Sequence, residues 1–410
     1  MQIRPILSTL RHHKLTAILL TLQVAFTCAI VCNVVFMVAQ RVQRISVPTG
    51  IAENELSAIH SRGIEKDENV QARHVADLAA LRAIPGERSA VAVSYSLPLN
   101  QSESSSGMCP SKQALDRAIQ RNSIDGSGCV QPALYDGTPG LIATLGLHLV
   151  AGRDFLPDEY VSKGKPAVAI ITRALAQKLY PGRSALGQSM YDGDNFFRVV
   201  GIVDTLLRPA LSKPGVDGDS MIWPQRPDGS SVTYVLRSAP QDRQRVLKAA
   251  EAALLQASPN RIIDPKQMQT YTQIRNAYFQ RDTTMIGLLI ASALGLLFVT
   301  ALGIAGLANF WVQQRTRSIG IRRAIGATRG DILRYFQTEN LLIVTVGIVL
   351  GVLLAVLMNL LLMTHYELPR LPLWYLPIGA LVLWALGQLS VLSPALRAAQ
   401  VPPAVATRSV

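Results

Sequence analysis

Six arginines crowd one short stretch of the chain. Arg315, Arg317, Arg322, Arg323, Arg329 and Arg334 are opposed there only by Asp331 and Glu339. Guanidinium groups at that density suit nucleic acid, anionic lipid head groups or the surface of another protein. Ile319, Ile321 and Ile325 are interleaved with the arginines. Apolar anchors between charges serve a protein partner, whereas lipid attraction alone would not require them. A docking element for a cytosolic partner is therefore expected in preference to an arginine-rich hairpin laid on lipid. Gly326-Ala327 interrupts the pattern, and Thr328-x-x-Asp331 forms a capping box for a new helix running through Ile332, Leu333 and Phe336. The expected element is a helix, a bend and a second helix.

Chemistry that makes or breaks bonds has no such signature. No G-x-x-x-x-G-K-[ST] phosphate loop, H-E-x-x-H, C-x-x-C or G-x-S-x-G occurs in the chain. No catalytic, metal or cofactor residue is expected, and this chain is not expected to be its own P-loop ATPase. His12 and His13, beside Arg11 and Lys14, read as solvated interfacial residues. Cys28 and Cys32 lie four apart on one helical face and read as small packing residues. Cys109 and Cys129 lie in a Ser/Gly-rich external region where oxidising conditions would let them pair. A disulfide is expected; the alternative is two thiols too far apart to bond.

These residues are positioned by a chain that is 49% hydrophobic and only 16% charged, with a formal charge of +13. That balance points to a membrane protein. The arginines sit beside apolar spans and form no aromatic-studded basic face, so nucleic acid is not an expected partner. Windows long enough to cross roughly 30 Å of hydrocarbon fall at residues 15–39, 285–312, 341–363 and 374–392. The first has a basic flank like a secretory signal, but its apolar run exceeds the roughly 7–15 residues of such signals. It is expected to be an uncleaved helix.

Basic residues near the spans set the expected topology. Residues 1–14, an amphipathic segment, the segment 313–340 and the tail 393–410 are expected in the cytoplasm. Residues 40–284 and the short loop 364–373 are then external. Arg41 and Arg44 oppose this placement, but a long soluble domain translocates largely regardless of its charge. Within the spans, Gly287, Ala291 and Gly295 in the second and Gly347, Gly351 and Ala355 in the third put small residues at four-residue spacing. Such spacing lets helices pack closely, here against one another or a second copy. Gln23 and Asn33 are expected to make interhelical hydrogen bonds, and no span carries a charge that would mark an ion pathway.

The external domain reads as α+β. Helices are expected over 53–62 and 69–83, the latter presenting Val75, Leu78 and Leu81 on one face, followed by a strand over 90–99. Thr138-Pro139 is expected to open a short helix ending near Gly146. Strands at 168–172, 197–203 and 231–237 alternate with helices at 174–180 and 241–256. Residues 266–282 are expected to be a helical stalk entering the second span. The expected fold class is thus an α-helical membrane protein with four transmembrane helices and a large α+β domain between helices 1 and 2.

The stretch RTRSIGIRRAIGATRGDILRYFQTENLL closely resembles the signature of FtsX-like permeases, the membrane subunits of MacB-type ABC transporters. The segments GTPGLIATLGLHLVAGRDF, AVAIITRALAQKLYPGRSALGQSM and FRVVGIVD look like the MacB periplasmic core domain, and PALRAAQVPPAVATR is similar to the closing motif of the family. The resemblance implies a dimerising inner-membrane permease without ATPase motifs of its own. It would be driven by mechanotransmission from a cytosolic ABC ATPase subunit that binds ATP and Mg. It also implies that Arg317, Ser318, Ile319, Gly320, Ile321, Arg322, Arg323, Ala324, Ile325, Gly326 and Ala327 form the ATPase-docking segment. Many members of that family carry Glu where this chain has Ser318, so a non-identical second permease is expected, with a homodimer as the alternative. Export or extraction of a periplasmic or membrane-embedded substrate, such as an antimicrobial compound or peptide, is the expected function. A periplasmic adaptor and an outer-membrane channel are further partners the resemblance allows. A lipoprotein-releasing permease and a regulatory scaffold for a cell-wall hydrolase are the alternatives.

Overall fold

The computed structural model describes residues 14–65, 69–94, 97–100, 102–193, 195–211, 215–366 and 372–400. The N-terminal segment with His12 and His13, residues 367–371 of the 364–373 loop and the last ten residues of the tail lie outside them. In chain order the elements are α1 (Lys14–Ile45), β1 (Leu56–Gly63), α2 (Val70–Arg82), β2 (Glu87–Val93), α3 (Lys112–Arg121) and β3 (Ala133–Asp136). There follow α4 (Leu141–Leu145), β4 (Leu149–Gly152), β5 (Val168–Thr172), α5 (Arg173–Leu179), β6 (Ser189–Asp192), β7 (Asn195–Val203), β8 (Ser220–Trp223) and β9 (Ser231–Ser238). The chain continues with α6 (Arg243–Ala257), β10 (Arg261–Thr270), α7 (Tyr271–Tyr278), α8 (Gln280–Gln314), α9 (Thr316–Ala324), α10 (Arg329–Tyr366) and α11 (Tyr375–Ala399). Two units result: Met1–Ser46 with Arg281–Val410, and Val47–Gln280.

The helical unit holds the four helices long and apolar enough to cross a membrane: α1, α8, α10 and α11. Its core gathers Leu20, Val24 and Cys28 of α1, Ile343, Val344 and Ile348 of α10, and Leu383 and Val391 of α11. The stripe on α10 explains the close approach. A Cβ on Gly347 would lie 2.8 Å from the Val24 Cβ, and one on Gly351 would lie 2.6 Å from the Ala25 carbonyl oxygen. Ala355 is buried, and its carbonyl accepts from Asn33 Nδ2 at 3.3 Å. Gln23 Nε2 likewise donates to the Val299 carbonyl on α8 at 3.4 Å. Cys32 is buried where Gly379 leaves it room on α11.

The stripe on α8 behaves differently. Gly287, Ala291 and Gly295 are exposed, and nothing approaches a Cβ placed on either glycine. This helix engages the unit chiefly through its C-terminal half, where Thr300 and Thr27 share a hydroxyl hydrogen bond of 2.8 Å and Ile304, Ala308 and Trp311 are buried. At its other end Asp282 pairs with Arg41 and Arg44. That carboxylate offsets one of the two positive charges that argued against an external placement of the segment after α1.

The second unit contains two sheets. The first is antiparallel, in the order β10-β1-β9-β2, with α2 and α6 over one face and Ile59, Leu81, Tyr234 and Val246 in its core. The second is mixed, in the order β3-β8-β5-β7-β4 with β6 also paired to β7, around Ile171, Leu175, Phe197 and Met221. Five local expectations are corrected. Residues 56–63 form a strand, not a helix. β1 is an inner strand with side chains buried on both faces, so Leu56, Ser57, Ala58 and Ile59 give no alternating pattern to read. Val75 is 67% exposed; α2 instead buries His74 and Asp77 with Leu78 and Leu81. The helix after Thr138 is capped by Gly140, at φ +94°, while the Thr138 hydroxyl accepts from the Ala92 amide. The strand after α2 ends at Val93 and not at 99. The expected stalk also divides: residues up to Thr270 pair with β1, Met268 against Ile59, and helix resumes only at Tyr271.

Candidate functional site: the arginine-rich helical turn

The arginine-rich stretch folds as α9, a turn and the first turns of α10. Gly326 ends α9 at φ +108°, a conformation L side chains rarely adopt, and its amide and that of Ala327 return to the Arg323 and Arg322 carbonyls. The capping box forms as its spacing requires. The Thr328 amide donates to Asp331 Oδ2 at 3.0 Å, and the Asp331 amide donates to Thr328 Oγ1 at 3.2 Å. The chain direction is thus reversed by local chemistry alone.

Packing then sorts the isoleucines. Ile319 is buried with Gly320, Ile321 is 46% exposed and Ile325 is 82% exposed. Only Ile321 and Ile325 can serve as anchors for another surface; Ile319 holds α9 against Ile332 and Phe336. The arginines divide as well. Arg315 donates to both carboxylate oxygens of Glu339, at 3.0 and 2.9 Å, and Glu339 is itself 1% exposed. Arg322 lies over the Tyr335 ring at 4.9 Å from its centre. Arg317 and Ser318 are exposed, as are Ala324 and Gly326, and Arg323 is half-buried.

Between α9 and α10 lies a cleft of about 290 Å³, lined by Arg315, Ser318, Ile319, Arg322, Tyr335 and Phe336 among others. It combines an aromatic floor with guanidinium walls, a composition suited to an apolar side chain flanked by carboxylates. Phe336 was legible only as an apolar position of a helix, and Tyr335 was not singled out. Their part in the cleft depends on the turn that brings α9 over them. Among the described residues no group of three or more His, Cys, Asp and Glu could hold a metal. Cys109 and Cys129 are bonded and close the loop containing α3.

The chain matches two family models in sequence order: a MacB-like periplasmic core domain over residues 15–263 and an FtsX-like permease C-terminal domain over residues 290–403. It belongs to the MacB-like, FtsX-like family of ABC transporter permeases, membrane proteins with a periplasmic-type domain between the first two of four apolar helices. It is 28% identical to the ABC transporter permease YknZ of Bacillus subtilis, over 64% of this chain and 66% of that protein. It is 32% identical to the pyoverdine export ATP-binding/permease protein PvdT of Pseudomonas syringae pv. tomato, over 48% of this chain and 31% of that protein. The macrolide export ATP-binding/permease protein MacB of Marinobacter nauticus is 27% identical over 46% of this chain and 30% of its own length. The chain thus spans just under two thirds of YknZ and about a third of the other two. Solved structures similar to it include the extracellular domain of YknZ, with a TM-score of 0.32 at 16% identity, covering 50% of this chain and 99% of that one. The periplasmic region of MacB from Actinobacillus actinomycetemcomitans gives 0.31 at 13% identity, over 57% and 97%.

Proposed function

We propose that α9 and the following turn dock a cytosolic ABC ATPase subunit, and that this permease passes the motion of nucleotide-driven ATPase association to its external domain. The observation carrying this reading is the pairing of an exposed Ile321 and Ile325 with a guanidinium-walled aromatic cleft at the end of α9. ATP and Mg would be held by that partner. The segment 313–340 and both termini would face the cytoplasm, since the six arginines of this segment outweigh Arg41 and Arg44, which Asp282 already pairs. The apolar faces of α1 and α8 would meet lipid and a second permease, a non-identical one being favoured because Ser318 leaves this docking surface without an acidic group of its own at that position. Export or extraction of a periplasmic or membrane-embedded substrate is the output this reading favours, in line with the export named for the PvdT and MacB relatives.

The test is purification from native membranes followed by identification of every bound chain, with Ile325→Asp made in parallel. Wild type should retain an ABC ATPase and stimulate it. Ile325→Asp should release it while the helical unit keeps its thermal stability, because that side chain is exposed in the free permease. Unchanged ATPase stimulation by the variant would refute the interface. Recovery of a cell-wall hydrolase in place of an adaptor and channel would replace export with regulation.

A further inference from the structure

Arg315 stands apart from the arginines that face outward, because its side chain is turned into the helical bundle. It is the residue at which α8 gives way to α9. Its amide donates to the Trp311 and Val312 carbonyls at the end of α8, and its guanidinium lies 5.8 Å from the centre of the Trp311 ring. The same guanidinium crosses to α10, where Nη1 reaches both carboxylate oxygens of the buried Glu339. The next residue, Asn340, is buried too, and its Nδ2 donates to the Gly387 carbonyl of α11 at 2.9 Å. Two adjacent polar residues of α10 thus tie the junction of α8 and α9 on one side and α11 on the other.

The contacts between α9 and α10 differ in kind along their length. Ile319 shares a core with Ile332 and Phe336, and Arg322 lies over Tyr335. Apolar contacts are not directional, so they let α9 slide or tilt on α10 while area stays covered. A guanidinium bound to two carboxylate oxygens does fix the angle, because parting them costs a buried carboxylate its counter-charge. Such a pair adds little stability over an apolar replacement, so what it supplies is geometry. The helix behind it is loosely held: few residues in the apolar stretch of α8 are buried, and nothing approaches a Cβ placed on Gly287, Gly295 or Gly306. That helix follows directly in the chain on the external unit, which ends at Gln280.

We propose that Arg315 and Glu339 are positioning residues, the pivot through which a push on α9 is passed to α8 and α10. The pair holds one angle between α9 and α10. A partner acting on Ile321 and Ile325, at the other end of α9, then carries α8 and α10 with it; without the pair, α9 swings alone. The inference rests on the docking of an ATPase at Ile321 and Ile325, but its first readout needs no partner, so the two can fail separately.

The first measurement uses the full chain in lipid nanodiscs, spin-labelled at Ile325→Cys on α9 and Leu396→Cys on α11, both exposed positions in a chain whose own cysteines are buried or bonded. Pulsed electron resonance should give one narrow distance distribution with Glu339 in place and one at least twice as broad with Glu339→Gln. Should that variant fail to fold, Arg315→Met/Glu339→Met, which replaces the pair by apolar side chains, should keep the melting temperature and broaden the distances alike. The second measurement uses the ABC ATPase that copurifies with the wild-type chain. Glu339→Gln should bind it within threefold of wild type while stimulation of ATP hydrolysis falls at least tenfold, a split that mere loss of structure would not produce. Unaltered distances in the folded variant, wild-type stimulation by Glu339→Gln, or parallel loss of binding and stimulation overturns the pivot and leaves the docking reading standing. A wild-type chain that binds no ATPase overturns the docking reading and the transmission built on it.

Discussion

Asp77 and Arg261 are fully buried, and Arg261 donates to both carboxylate oxygens of Asp77, at 2.6 and 2.9 Å, while the Tyr234 hydroxyl adds a third bond. Such a pair is worth little against a well-packed apolar replacement, but removing one partner strands the other charge. Asp77→Ala is therefore expected to destabilise the external unit by about 3–5 kcal/mol in chemical denaturation, and the double variant Asp77→Leu/Arg261→Met by less. Glu87 makes the opposite prediction. Burial pushes its carboxyl up to about 7 against the Arg82 charge, and its Oε1 has no partner. A carboxyl whose folded value exceeds its unfolded one costs nothing below about pH 4.5, and ionising it costs progressively more stability as pH rises through about 7. Since Glu87 is only partly buried, Glu87→Gln should stabilise the protein by about 1–2 kcal/mol at pH 8, after allowance for solvent screening. It should make no difference at pH 4, as read by melting curves at both values.

At the scale of elements, the turn after α9 depends on one backbone conformation. Gly326→Val should strain the positive φ and misplace α9, lowering ATPase stimulation while the four long helices persist by circular dichroism, at a cost of about 1–3 kcal/mol. The loop closed by Cys109 and Cys129 spans 20 residues and holds α3. Replacing both cysteines by serine should lower the stability of the external unit by about 3 kcal/mol, measured by urea unfolding with and without reductant. The two small-residue stripes show how element and context part company. Both have the spacing that permits close packing, but only the stripe on α10 is seated on a neighbour here, against α1.

For the molecule as a whole, orientation in the membrane is the quantity from which the proposed function follows. With Cys28 and Cys32 buried and Cys109 bonded to Cys129, a single Ile325→Cys substitution offers one exposed thiol among the described residues. A membrane-impermeant maleimide should label it only after the cytoplasmic face is opened. Labelling in intact spheroplasts would invert the topology and remove the proposed ATPase interface.

Four apolar spans, an α+β domain between the first two and the arginine-rich helical turn were determined by the sequence alone. Hydrophobic length, turn chemistry and capping act over one or two helical turns, and Gly326, Thr328 and Asp331 carry their instruction locally. The tertiary structure decided what such local rules cannot. β1 became a strand because β9 and β10 supply partners on both sides, although residues 53–62 read as a helix. Ile319 turned inward and Ile325 outward because α9 lies on α10, and identical residue types at close spacing give no sign of which will be covered.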